Sequence, residues 1–185
     1  MNQLLENIDK VPAVSDSEET RKAEIIGQAY FLRAFFYHQL YSLYGRIPLV
    51  DHTFDIDSDW VETRADMDDV ADFIVKDCES AIEKLPLKYE SSDDFGRATR
   101  GAAMAVKART LLYKASPLFG EPSTEKWQEA AKASKDIIDL GVYSLPTVSS
   151  SEEYAALFYN TQNPEIIFEK LYNNCLLYTS DAADD

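Results

Sequence analysis

Apolar residues recur at helical spacing along most of this chain, and the densest run is residues 31–50, FLRAFFYHQLYSLYGRIPLV. Ile25, Ala29, Leu32, Phe36, Leu40 and Leu43 form one stripe at spacings of three and four. Ile26, Tyr30, Tyr37, Tyr41 and Tyr44 form a second stripe on another side. A helix that is apolar all round must be covered on more than one face, so the pattern predicts a rod in the interior of an all-helical packed array. Ser15, Asp16 and Ser17, followed by Glu18 and Glu19, predict its N-terminal cap. Gly45 predicts its end, and Pro48 pushes Ile47 into an extended conformation.

Four shorter helices follow in the pattern. Asp66 caps one that reaches about Leu85, with Met67, Val70, Ala71, Ile74, Cys78, Ala81, Ile82 and Leu85 on one face and Pro86 ending it. Thr99 caps another, with Ala102, Ala105, Val106, Arg109, Leu112 and Tyr113 along one side. Its small residues, Gly101 to Ala103 and Ala105, allow close approach of a neighbouring helix. Thr124 caps a further helix with Trp127, Ala130, Ala131, Ser134, Ile137 and Ile138 on one face, and Gly141 stands at the C′ position. Ser150 and Glu153 make a capping box for a short last helix. Ile166, Ile167 and Phe168 are the one strand-like piece. The expected fold class is all-α: irregular, tetratricopeptide-like helical hairpins stacked as a short solenoid, with little or no strand. The likeness to that repeat is loose, because the W-x-x-L-G-x-x-Y signature is absent and the first hairpin is too long.

Composition narrows the function classes. The 185 residues carry a formal net charge of -15, which sets aside nucleic acid and anionic lipid as direct ligands. A hydrophobic content of 45% is that of a globular protein. No apolar run approaches the ~18 residues of a membrane helix. Residues 1–10 lack the basic stretch and apolar core of a secretion signal. The two cysteines, Cys78 and Cys175, make neither a disulfide framework nor a zinc site.

The candidate chemistry is that of binding. His38 and His52 are the only histidines and have no metal-ligand spacing, so neither a metal nor another cofactor is expected. No nucleophile elbow accompanies the serines. With 33 carboxylates some pair always lies close, so a glycosidase pair does not follow from count. Asp51, Asp55, Asp57 and Asp59 repeat the opening of a calcium loop, but its Gly and closing Glu are missing. The loop at 51–63 is more informative for its rings. Sugars present apolar C–H faces and hydroxyl edges, which aromatic rings and carboxylates cover respectively. His52, Phe54, Asp57, Asp59 and Trp60 are the candidate ligand-binding residues, with Trp60 open to two readings, a sugar platform or packing under the helix that follows. Arg33, Arg109 and Lys107 are read as anchors between helices, since a buried cation needs carboxylate or carbonyl partners. Gly96 and Arg97 shape the loop entering the Thr99-capped helix, and Trp127 is expected in the core.

In order along the chain, Glu24 with the 31–50 run, Thr63-Arg64, Ile74 and Asp77, Leu85-Pro86, GRATRGAAMAVKARTLLYKASPLFG, Trp127 with Ala130 and Ala131, GVYSLP and NPEIIFE resemble the SusD/RagB family of outer-membrane glycan-binding lipoproteins. Glu24, Arg33, Tyr44, Gly45, Pro48, Gly96, Arg97, Arg109 and Trp127 are then the structural positions. The resemblance implies a non-catalytic, outward-facing lipoprotein of the cell outer membrane that captures oligosaccharide for a TonB-dependent, SusC-like transporter. Membrane attachment would be through a lipid anchor only. It also implies a protein about three times longer, so residues 1–174 are expected to be a single helical domain, incomplete at both ends, with apolar surface left open around Ile166 to Phe168. The tail at 175–185, CLLYTSDAADD, resembles translated sequencing-adapter read-through. The alternative is an intracellular helical-repeat adaptor that holds a peptide.

Overall fold

The computed structural model describes residues 1–55, 57, 61–89, 91, 94–160 and 163–170. Among these residues six α-helices follow one another: α1 (Asn2–Asn7), α2 (Asp16–Tyr44), α3 (Met67–Lys84), α4 (Arg100–Ala115), α5 (Thr124–Asp139) and α6 (Ser151–Leu157), with a 3₁₀ turn at Ile8–Lys10 after α1. Among the described residues there is no strand, and residues 163–170 are irregular. No helix among them is long and apolar enough to cross a membrane.

The ends of the helices follow local chemistry. Ser15 and Glu18 form a reciprocal capping box at the start of α2, each bonding the other's backbone N–H. Gly45 closes α2 with φ 66, a conformation that favours glycine, and its N–H bonds the Tyr41 carbonyl. The Thr99 hydroxyl caps α4 by accepting from Ala102 N–H. At α5 the cap is Ser123 rather than Thr124, one residue earlier than the pattern suggests. At α6 the Ser150 hydroxyl accepts from Glu153, whose carboxylate reaches back to Ser149.

Consecutive long helices pack side by side, α2 on α3, α3 on α4 and α4 on α5, so the two hairpins continue into one array. The main core lies between α2, α3 and α4, with Phe31, Tyr41, Val70, Ile74, Cys78 and Leu85 almost wholly enclosed. Burying a side chain of this size contributes about 1.5–3 kcal/mol. Burial pushes the Cys78 thiol well above its usual range, so it packs as an inert small apolar group. A second cluster joins Ala108 and Leu111 of α4 to Ala130 and Ala133 of α5, with Val75 and Ile137 at its margin.

The rod is covered differently from the expectation. Its enclosed stripe is Gly27, Phe31, Ala34, His38 and Tyr41. The stripe that stands out in the sequence is open from Leu32 onward, although its Ala29 is enclosed: Leu32 is 39%, Phe36 52%, Leu40 43% and Leu43 73% exposed. Tyr44 at the rod's end is exposed too. Periodicity counts apolar residues on a face and cannot count the neighbours available to cover it. The same limit applies on α4, where Leu112 and Arg109 point outward while Ala103, Ala108 and Leu111 are enclosed. Trp127 begins α5 43% exposed rather than in the core; the α4 contact runs along Ala130 and Ala133 instead.

At Gly101 the close approach onto α4 is made by a side chain from outside the helices. A Cβ added at Gly101 would lie 2.1 Å from the Tyr143 hydroxyl, so the glycine admits the Tyr143 ring from the segment after α5. Tyr143 also sits 3.4 Å from the Thr99 hydroxyl. Ser144 N–H donates to the Pro164 carbonyl, tying that segment to residues 163–170.

Candidate functional site

The loop that holds the candidate ligand residues grows out of the end of α2. Its first stretch is gathered by a single phenol. Tyr37 Oη accepts from Val50 N–H at 2.7 Å and lies 3.3 Å from the Val50 carbonyl and 3.5 Å from that of Pro48. Burial raises the Tyr37 hydroxyl above its usual pKa, so it remains a neutral phenol.

From the opposite side the loop is held by α1. Asn2 Nδ2 donates to the carbonyls of Val50 and His52 at 3.0 and 2.9 Å. Glu6 accepts from the Thr53 N–H at 2.8 Å and from its hydroxyl at 2.6 Å. These bonds hold the Glu6 carboxyl below its usual pKa. Asn2 and Glu6 are four residues apart and therefore share one face of a helix. The sequence signal lay in that spacing, which becomes legible only once residues 1–10 are taken as a helix as well as tested for a secretion signal.

Beneath the loop sits a buried ion pair. Arg33 Nε and Nη2 donate to Asp77 Oδ2 and Oδ1 at 2.7 and 2.8 Å, a two-pronged contact that joins α2 to α3. Arg33 Nη1 donates to Asn2 Oδ1 at 2.9 Å and reaches the Asp51 carbonyl at 3.4 Å. The guanidinium also lies 5.5 Å and 5.0 Å from the ring centres of Tyr30 and Phe73. Burial disfavours both charges. It leaves the Asp77 carboxyl raised, whereas at Arg33 the hydrogen bonds and charge of Asp77 outweigh it and raise the guanidinium. Arg33 thus joins α2 to α3 and reaches the base of the loop.

On this seat the rings of His52 and Phe54 meet edge to face, with centroids 4.8 Å apart. His52 Nδ1 and Asp51 Oδ1 are 3.1 Å apart, and this contact holds the Asp51 carboxyl below its usual pKa. Asp57 is exposed nearby in sequence. Asp59 and Trp60 lie outside the described residues. Two rings flanked by the carboxylates of Asp51 and Glu6 can offer an apolar edge and hydrogen-bond acceptors to one small polar molecule. A surface cleft of about 430 Å³, lined by Asp9, Pro12, Lys22 and Ile26 among others, lies elsewhere and contains none of the candidate residues.

The other expected positions have ordinary structural partners. Glu24 is 3.7 Å from Arg21, and Arg97 pairs with Asp94 at 2.6 Å and reaches Gln28. Gly96 turns the loop before α4 with φ 87. Of the two α4 cations, Lys107 reaches Glu79 on α3 at 2.7 Å, whereas Arg109 is exposed and does not anchor α4 to a neighbour as expected. His38 does not make a local bond. Its Nδ1 lies 3.0 Å from the Thr110 hydroxyl on α4, and that hydroxyl donates to the Val106 carbonyl. The imidazole Nδ1–H therefore donates to Thr110.

Comparison with known proteins gives this geometry a setting. Residues 1–112 match a SusD-like family described as starch-binding and associating with the outer membrane. A SusD-like protein of Formosa agariphila is 27% identical over 184 residues, all of this chain and 30% of the relative. The crystal structure of a SusD-like protein from Bacteroides fragilis superposes with a TM-score of 0.78 at 31% identity, over 92% of this chain and 31% of that one. A laminarin-binding SusD-like protein superposes with a TM-score of 0.61 at 26% identity, over 74% of this chain and 26% of its own. The chain thus spans under a third of the length of these relatives. With the family's helical fold, its match across the candidate loop and the ordered sequence likeness, the chain belongs to the SusD-like family.

Proposed function

We propose that the polypeptide containing this chain captures oligosaccharide at the outer membrane and hands it to a TonB-dependent, SusC-like transporter, without cleaving it. The helical array serves as scaffold. The loop carrying His52, Phe54, Asp57, Asp59 and Trp60 contributes part of the sugar contact, the remainder coming from polypeptide beyond the residues described. Attachment is through a lipid anchor on an outward-facing protein, and residues 1–174 form one helical unit. The sequence at 175–185 is read as adapter read-through.

The observation that carries the reading is the His52–Phe54 ring pair beside Asp51 and Glu6, on a loop fixed from both sides, in a member of a starch-binding family. Family membership weighs against the intracellular adaptor. Affinity electrophoresis of the longer polypeptide in gels containing starch, laminarin and other soluble glycans tests the proposal. At least one glycan is expected to retard it, and Phe54→Ala is expected to weaken that retardation at unchanged melting temperature. Absence of retardation by every glycan, or hydrolysis abolished by a single Asp or Glu substitution, overturns it.

A further inference from the structure

The open stripe of α2 is the most unusual surface of the molecule. Leu32, Phe36, Leu40 and Leu43 follow one another at spacings of four, four and three, so they form one continuous line. That line is about 16 Å long at 1.5 Å per residue, about three helical turns. The chain as a whole is 28% charged, yet residues 34–45 contain no Asp, Glu, Lys or Arg on any side. A helix whose outer side faced water permanently would carry charges there. The composition of α2 is that of a helix enclosed on both sides, while the residues described enclose one.

The stripe is also joined to the last described segment of the chain. The Phe168 ring meets Phe31 and Phe35 with centroids 5.1 and 6.2 Å away, and Phe35 in turn meets Phe36 at 5.7 Å. A ladder of ring contacts therefore runs from residues 163–170 to the edge of the open line. Within that segment Ile167 is packed against the core while Phe168 is 38% exposed, and the larger opening is on α2 itself.

We infer that Leu32, Phe36, Leu40 and Leu43 are the seat for a further part of the same polypeptide, which lies across α2 on the side opposite α3 and α4. Three observations select this occupant. The relatives are more than three times the length of the matched region, so the family supplies polypeptide to fill the site. The last described residues already pack beside the stripe. The line is apolar and without charge, as a permanent core contact requires and as a reversible contact between separate proteins, with its polar rim, does not. This inference does not depend on the sugar-binding reading and would survive its failure.

The test uses the longer polypeptide with its solvent-accessible cysteines replaced by Ser. Leu40→Cys and Leu43→Cys are reacted in turn with a maleimide, and Lys132→Cys on the exposed side of α5 sets the reference rate. Protection at Leu40 and Leu43 of about tenfold or more, unchanged on dilution, is the expected result, since a core contact opens only rarely. Rates equal to the reference overturn the inference, as they leave the face open or reserved for a separate partner. Protection lost on dilution overturns it too, in favour of a second copy of the chain. Hydroxyl-radical footprinting of Phe36 in the unsubstituted polypeptide, against the same protein in urea, reads the same surface should a cysteine variant misfold. Oxidation at the unfolded rate counts against the inference, and strong suppression supports it.

Discussion

Arg33 and Asp77, 44 positions apart, meet through two parallel hydrogen bonds inside the α2–α3 interface. The pair sits beneath the candidate loop, and the third prong of the guanidinium reaches Asn2. Replacing Arg33 alone by Met leaves a buried carboxylate without its partner, which costs about 3–5 kcal/mol. Replacing both, Arg33→Met with Asp77→Leu, removes both desolvation penalties and is expected to restore most of that loss. Urea unfolding of the longer polypeptide checks both values. Loop protection in hydrogen exchange should stay reduced even in the double variant, because Asn2 and the Asp51 carbonyl lose their donor.

Tyr41 presents the opposite case. Its ring is enclosed and packs 4.9 Å from Phe119, but its hydroxyl has no hydrogen-bond partner among the described residues. Burial, with Asp68 and Asp72 nearby, pushes that hydroxyl up to about 12. Tyr41→Phe removes a buried polar group that nothing satisfies, so a gain of about 1 kcal/mol is expected. A loss of stability in denaturant unfolding would mean that the hydroxyl is bonded after all.

Gly101 and Tyr143 occupy the same space if the glycine gains a side chain. Gly101→Ala is expected to cost about 1–3 kcal/mol by expelling the ring. In a Tyr143→Ala background the same change should be neutral or stabilising by up to about 1 kcal/mol, because alanine is the better helix former. A double-mutant cycle on melting measurements separates the two effects.

His38 links stability to pH. Burial lowers its pKa below the ordinary 6.5, and the charge of Arg109 lowers it further. The unfolded chain therefore takes up a proton at a pH where the folded chain does not. Stability from this group is fully present above the unfolded pKa and is lost as pH falls from there through the folded value. Thr110 and the Tyr113 ring face the imidazole. The melting temperature is expected to fall on acidification from about pH 7.5 to 5, with a smaller fall in His38→Gln. Arg109→Ala should raise the His38 pKa, read directly from the imidazole NMR shifts.

Asn2 and Glu6 hold the loop without being part of the main core. Asn2→Ala with Glu6→Ala is expected to accelerate hydrogen exchange at residues 50–54 and to weaken any glycan retardation, with little change in melting temperature. Unchanged exchange at those residues would mean that Tyr37 and Arg33 suffice to fix the loop.

Much of this was legible in the sequence. The ends of α2 followed from Ser15, Glu18 and Gly45, and the enclosed face of α3 followed from its period, because local chemistry decides both. Which stripe of α2 is enclosed did not follow. The enclosed line of Gly27, Phe31, Ala34, His38 and Tyr41 is neither of the two apolar stripes in the pattern, and only the positions of α3 and α4 select it. Trp127 shows the same limit: which residues of α5 are enclosed is decided by what lies opposite, here Ala108 and Leu111 of α4, which meet Ala130 and Ala133. For the loop, His52 and Phe54 were marked by composition, whereas their support was not. Asn2, Glu6, Tyr37 and Arg33 reach it from segments that only the fold brings together.

The way residues 48–53 are seated has a consequence for how such a surface changes over time. The carbonyls of Val50 and His52 and the amides of Val50 and Thr53 are already engaged by Tyr37, Asn2 and Glu6. A visiting molecule thus meets ring edges and acid groups, with the main chain at these points spoken for. New preferences can then arise by exchanging what the loop displays, one residue at a time, while the mount beneath stays as it is.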